Sequence, residues 1–293
     1  MEQLLIYGAL AIIGLAMGSF AGASVWRLRG RQLVEDRAAG EKVNSKEYTT
    51  LLPLTKTTFT SDRSQCLHCN HPLAWYDLIP LVSWASTGGK CRYCHRKIGY
   101  FEPLIEIGVA LLFVASYALW PIPLESTADI MQFILWLVSC VLLAILFVYD
   151  LKWFLLPNTI VFPLIAVGSL VSFLIFLDSP DGVGTLLNVF SATVILSGLY
   201  LLLWVVSKGQ WIGFGDVKLG LGLALLLADW QLAFIALFAA NLVGCLLVIP
   251  GMLAKKITRK TRVPFGPLLI VGGVFAALAG QYVVDWYFTL SIY

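Results

Sequence analysis

Eight stretches of the chain, at about 4–25, 104–123, 130–149, 158–177, 187–206, 217–229, 231–250 and 267–287, are almost wholly apolar, and no other feature limits the fold so strongly. A hydrocarbon layer about 30 Å thick takes roughly 17 to 25 apolar residues per helix, and a backbone in lipid must satisfy its own polar groups. The stretches are therefore predicted to be transmembrane helices of an all-α polytopic membrane protein. Composition agrees: of 293 residues 59% are hydrophobic, only 13% are charged, and ten are tryptophan, which excludes an ordinary soluble domain. The sixth stretch is short, since about thirteen residues at 1.5 Å each cover only some 20 Å. It is read as a short crossing under a locally thinned bilayer.

The positions of Lys and Arg test these spans, because loops on the cytoplasmic side collect them. The first span starts at Glu2 with no early Lys or Arg, and Arg27, Arg29 and Arg31 follow it. That pattern predicts an uncleaved anchor with its N-terminus outside. Counting from there, residues 27–97, which hold twelve of the twenty Lys and Arg, fall on the cytoplasmic side. Lys152, Lys208 and Lys218, and the cluster Lys255, Lys256, Arg259, Lys260 and Arg262, fall there too. The opposite loops carry only acids: Glu125 and Asp129, Asp178 and Asp181, Asp229, and Asp285. Without the short sixth crossing the basic cluster 255–262 would lie outside.

Three parts result: a first helix over 1–26, a cytoplasmic domain over 27–103, and a seven-helix membrane domain over 104–293. The cytoplasmic part contains "CLHC" (Cys66, Cys69) and "CRYC" (Cys91, Cys94), with 21 residues between the pairs. Each pair suits a tight knuckle, and four thiolates can close a tetrahedron around zinc. Cytoplasmic thiols stay reduced, which favours a metal over disulfides. Four protein ligands leave no open position, so a structural zinc in a zinc-ribbon-like domain is expected. His68, His71 and His95 are read as solvent-facing, although one could replace a thiolate. Cys140 and Cys245 stand singly in spans as small apolar residues. Residues 30–60, polar and Thr-rich toward their end, are read as a flexible insertion or long loop.

Asp150, in "FVYDLKWFLLPN", closes span three, and Asp216, in "GFGDVKLG", opens span six. Two crossings separate them, so both carboxylates are expected at the cytoplasmic surface. Two close aspartates share one proton; the ionised one can activate water while the other polarises a peptide carbonyl, as in aspartic proteases. Gly213 and Gly215 leave the backbone free to turn before Asp216, and an extended substrate could approach closely there. The structural alternative stands level from spacing alone. Asp216 would be a helix cap beside a snorkelling Lys218, and Asp150 would pair with Lys152. Glu106 in span two is a third acidic candidate, for packing or substrate orientation. Gly14, Gly18 and Gly22 form overlapping GxxxG steps that suit close helix packing.

Taken in order, these residues resemble the type IV prepilin peptidases, membrane aspartic proteases that process pilins and type II secretion pseudopilins. The resemblance rests on "GSF" (18–20) with "RL" (27–28), the run from "CLHC" through "IPLVSW" and "GKCRYC" to "PLIE" (103–106), "D" at 150 with "LLP" (155–157), "GFGDVKL", and "PFGP" (264–267). It implies a bacterial plasma (inner) membrane enzyme with Asp150 and Asp216 catalytic. Gly213, Gly215 and Lys218 belong to the same active-site segment. The implied substrate is a prepilin or pseudopilin with a basic leader, a glycine before the scissile bond and a hydrophobic helix after it. For many members it also implies N-methylation of the new N-terminus with S-adenosylmethionine, supported by the zinc-binding domain. The chain departs from the family at Ala21, Gly22 and Ala23, where a Leu-Asn-Val segment is usual, at Phe101 and Glu102, where Arg-Tyr is common, and at Asn158, where an aspartate often stands. These departures bear on the methylation step and leave both aspartates untouched. The alternatives are another GxGD intramembrane aspartic protease, a proton-coupled transporter, which would place its carboxylates nearer the midplane, and a zinc-ribbon scaffold without catalysis. The lipid bilayer is an expected partner, nucleic acid is not, and the sequence is silent on oligomeric state.

Overall fold

The structure is a computed structural model, and it describes residues 1–55, 63–254 and 263–291. The basic cluster 255–262 and the end of the Thr-rich run, 56–60, lie outside the described residues. Two units divide the chain, Met1–Tyr117 and Ala118–Tyr293. Among the described residues there are seven helices long and apolar enough to cross a membrane, which makes this a multi-pass membrane protein.

In the first unit, α1 (Glu2–Ala38) is 37 residues long. At 1.5 Å per residue it spans about 55 Å, well beyond a bilayer core. α4 (Phe101–Ala118) packs against its apolar half. The contact is close because of glycine: a Cβ at Gly18 would stand 2.5 Å from Glu106 Cα, and one at Gly14 2.6 Å from Ala110 Cα. Gly22, the third member of the expected GxxxG series, is less tightly held, with Ile105 Cδ1 at 3.7 Å.

Where the sequence predicts a loop, the chain is helical. α1 runs on to Ala38, α2 covers Ser45–Leu51, and a 3-10 turn covers Leu52–Thr55. Three local devices account for this. Asn44 caps α2 by accepting the N–H groups of Lys46 and Glu47, Arg29 donates to both oxygens of Glu47 at 3.0 Å, and Leu33, Leu51 and Leu54 form a small core. The apolar residues are too sparse to show a period in the sequence, and they become a core only when α2 folds back on α1.

Beyond α2 come the cysteine knuckles and a short α3 (Val82–Ser86). Isolated bridges Gln65–Pro72 and Lys90–Lys97 pin the two knuckles.

The second unit contains α5 (Thr127–Trp153), α6 (Asn158–Asp178), α7 (Gly182–Thr193), α8 (Leu199–Ser207), α9 (Phe214–Leu227), α10 (Trp230–Leu253) and α11 (Gly266–Ser291). A π-helical turn, Val194–Gly198, joins α7 to α8 in one long span, Gly182–Ser207. α9 is the short sixth stretch, 14 residues long. Its Val217, Leu219, Leu223, Ala224 and Leu226 are all buried, so its apolar character serves protein packing on every side. Helix α6 anchors it, with Ser172 Oγ donating to the Leu225 carbonyl at 2.6 Å.

The acids of the expected outer loops are helix caps. Asp129 and Ser126 bond reciprocally at the start of α5, Asp181 accepts the Gly184 N–H at 2.9 Å, and Asp229 accepts Gln231 and Leu232 N–H at 2.7 and 3.0 Å. Each such cap contributes about 1 kcal/mol, and a carboxylate there also meets the positive end of the helix dipole.

Candidate active site

Asp150 lies in the last turn of α5. That helix ends because Phe154 takes a left-handed conformation, φ 56°, and donates its N–H to the Asp150 carbonyl. The chain then passes Leu155, Leu156 and Pro157 before α6 starts. Asp150 is only 5% exposed, and its Oδ2 accepts the backbone N–H of Gly266, the first residue of α11, at 3.0 Å.

Asp216 enters from the first turn of α9. Its Oδ2 reaches back to the Gly213 N–H at 3.2 Å, so the helix-cap reading of this residue is observed. Asp216 is 9% exposed, and it lies within electrostatic reach of Asp150. Thus each carboxylate is held through one oxygen by a backbone N–H, and the Oδ1 of each takes no hydrogen bond from a described residue.

Leu156 connects the segments. A Cβ at Gly215 would stand 3.0 Å from Leu156 Cβ, and one at Gly266 would meet Leu156 Cδ2 at 3.5 Å and Asp150 Oδ2 at 2.6 Å. Only a residue without a side chain lets the start of α11 approach the carboxylate so closely. Phe265, just before Gly266, packs edge-on against the buried Tyr200 at 5.1 Å. Lys218 is turned toward α6, where its Nζ bonds Asn158 Oδ1 and lies over the Phe162 and Phe214 rings. Gly266, Leu156 and Tyr200 are not identifiable as site residues from spacing. "PFGP" hints at the first, because a glycine between Phe and Pro at a helix start needs a reason.

In the first unit the four cysteine sulfurs of Cys66, Cys69, Cys91 and Cys94 all lie within 4.8 Å of one another. The Cys66–Cys94 separation is 3.9 Å. Sulfurs at about 2.3 Å from a tetrahedral zinc would be spaced close to this, so the donor set fits that metal. The knuckles repeat one geometry. Cys66 N–H donates to the His71 carbonyl at 3.0 Å and Cys91 N–H to the Arg96 carbonyl at 2.8 Å, while Asn70 and His95 take left-handed conformations at φ 55° and 57°. Without metal, burial pushes the Cys66 thiol up to about 12. Burial works against ionisation of Cys91 too, but the N–H groups of Cys94 and Tyr93 draw it down to about 7. None of the three histidines belongs to the cluster; His71 stacks on Tyr93, with ring centroids 3.7 Å apart. Cys140 is buried, as expected, whereas Cys245 is exposed on α10.

Asp77 braces this region, accepting Arg92 Nε at 2.8 Å and Tyr93 Oη at 2.9 Å. Glu106 is 6% exposed, and its Oε2 accepts the Leu81 N–H at 2.8 Å. Both residues that depart from the usual Arg-Tyr pair pack on Trp26: Phe101 edge-on at 5.5 Å, and Glu102 as acceptor of the indole N–H at 3.2 Å.

Residues 12–120 match the family described as the bacterial peptidase A24 N-terminal domain, and residues 137–249 match the type IV leader peptidase family. The chain is 31% identical to a prepilin leader peptidase/N-methyltransferase of Aeromonas hydrophila, over 97% of this chain and 94% of that one. It is 30% identical to a protein of the same name from Pseudomonas aeruginosa, over 94% and 91%. It is likewise 30% identical to an Escherichia coli type 4 prepilin-like proteins leader peptide-processing enzyme, over 89% of each chain. No solved structure matches the chain.

Proposed function

The chain belongs to the type IV leader peptidase family, and on that premise we propose how its residues carry out leader cleavage and N-methylation. The protein is a membrane protease that removes the leader from prepilins and methylates the N-terminus it exposes. Asp150 and Asp216 are the catalytic pair. The ionised carboxylate takes a proton from water as the water oxygen bonds to the scissile carbonyl carbon, and the protonated one hydrogen-bonds the carbonyl oxygen. Collapse of the tetrahedral intermediate breaks the C–N bond, and the leaving amine takes up the proton.

One observation carries this reading. Backbone N–H groups from Gly266 and Gly213 fix the two carboxylates from opposite sides, which leaves the second oxygen of each for water and substrate. Such preorganisation is what transition-state stabilisation requires. Gly213 and Gly215 keep the approach to Asp216 clear of side chains, and Lys218, tied to Asn158, fixes α9 against α6. The Lys and Arg distribution supports an N-terminus outside and a site at the cytoplasmic face of a bacterial inner membrane. A substrate helix in the bilayer would present its leader junction at that depth.

Zinc on Cys66, Cys69, Cys91 and Cys94 has a closed coordination sphere and is structural. The methyl donor is S-adenosylmethionine, and the substrates include prepilins or type II pseudopilins.

The test is to incubate a prepilin and S-adenosylmethionine in liposomes with the unmodified protein, Asp150→Asn or Asp216→Asn, and to weigh the products. Cleavage after the leader glycine by the unmodified protein alone, with one added methyl group, is expected. Full-rate cleavage by either variant would return that aspartate to a purely structural role.

A further inference from the structure

The first unit contains a cavity of about 220 Å³, lined by Trp26, Trp84, Glu102 and Glu106 among others. Leader cleavage gives it no task. Concave sites with a few convergent polar groups among aromatic side chains are where small ligands bind.

Its carboxylates are unequally satisfied. Glu106 Oε2 has the Leu81 N–H, and Glu102 Oε1 has the Trp26 indole. Glu102 Oε2 is buried with no hydrogen-bond partner. A buried acceptor left unmade costs folding free energy, and a buried negative charge needs a positive partner. Arg92, which also lines the cavity, has its Nε committed to Asp77 at 2.8 Å. The two indoles are held as fixed planes: Trp26 by Glu102 and Phe101, and Trp84 by its N–H bond to the Gly99 carbonyl at 2.7 Å and by Tyr100 at 5.4 Å.

A cation that brings no N–H group, held by a bare carboxylate oxygen and indole faces, matches this arrangement. A sulfonium is such a cation, and flat aromatic surfaces also suit an attached purine. We propose that this cavity binds S-adenosylmethionine, with Glu102 Oε2 opposite the sulfonium, Trp26 and Trp84 flanking the ligand, and Glu106 holding the floor through Leu81. This rests on the methylation reading above. In the transfer, the lone pair of the substrate amine bonds to the methyl carbon, the C–S electron pair returns to sulfur, and the new ammonium releases a proton to water. The spent ligand is a neutral thioether, and Glu102 no longer attracts it. The site thereby favours donor over product.

Calorimetric titration of the detergent-solubilised full chain with S-adenosylmethionine and S-adenosylhomocysteine tests this. The unmodified protein is expected to bind the sulfonium at least tenfold more tightly than the thioether. Glu102→Gln should reduce that preference to about one, and Trp26→Phe should weaken both ligands. Metal content and thermal unfolding are followed in each sample to show that the unit is folded, and Glu106→Gln serves as a second variant if Glu102→Gln is not. An intact preference in a folded Glu102→Gln protein that methylates substrate would overturn the site assignment while leaving the function standing. No donor binding by an unmodified protein that still cleaves prepilin would overturn the methylation reading together with this site.

Discussion

The backbone N–H of Gly266 donates to Asp150 Oδ2 at 3.0 Å, across 116 residues of sequence. It joins the start of α11 to the end of α5 and sets the orientation of one of the two carboxylates. The position tolerates no side chain, since a Cβ would come within 2.6 Å of that same oxygen.

Gly266→Ala is therefore expected to push Asp150 out of place without unfolding the protein. Cleavage of a prepilin should fall at least tenfold in kcat/KM, about 1.4 kcal/mol in the barrier, while the melting temperature changes little. Unchanged kcat/KM would show that this hydrogen bond does not position the carboxylate.

Gly18→Leu acts on the other unit. Its Cβ would stand 2.5 Å from Glu106 Cα, on rigid helix backbone. Overpacking of this kind costs about 1–3 kcal/mol, so a lower unfolding midpoint in detergent is expected, together with weaker donor binding because Glu106 moves. An unaltered midpoint would mean that α1 and α4 separate without cost.

The purified protein should carry about one zinc per chain, the number four thiolates can close around. Combined Cys66→Ser and Cys94→Ser substitution should remove it, read by elemental analysis. Because bound thiolates are deprotonated, chelation should be accompanied by proton uptake, with Cys66, whose free thiol burial raises to about 12, taking its proton readily. Full metal content in the double variant would rule out the site.

Asp77 gives a pH signature. It is buried, which opposes ionisation, but Arg92, Tyr93 and the Ala74 N–H hold its carboxyl below the usual carboxylate range. Its unfolded value is about 3.9. A depressed folded value adds stability that is present above that pH and lost as pH falls through the folded value. The denaturant midpoints of the unmodified protein and Asp77→Asn should thus differ most near neutrality and converge below about pH 4. A difference that stayed constant down to pH 3 would assign the residue's effect to shape alone.

Much of the architecture was legible because its signals are local. Apolar runs of the right length predicted the membrane helices, and the pairs Cys66/Cys69 and Cys91/Cys94 predicted a four-sulfur cluster. Residues 30–55 were misread, because a core of Leu33, Leu51 and Leu54 exists only after the chain folds back and leaves no period in the sequence. Glu102 was visible as a departure from the family pattern, but its unpaired oxygen was not.

The sequence by itself determined that this is a polytopic membrane protein with a cysteine cluster and two aspartates at helix ends, since bilayer thickness and ligand spacing act on neighbouring residues. Only the tertiary structure decided that the short α9 is enclosed by other helices, that Gly266 rather than a side chain grips Asp150, and that Trp26 and Trp84 frame a cavity over an unpaired carboxylate. Those relationships are made between segments far apart in the chain, where close packing and hydrogen bonding choose partners that no local pattern specifies.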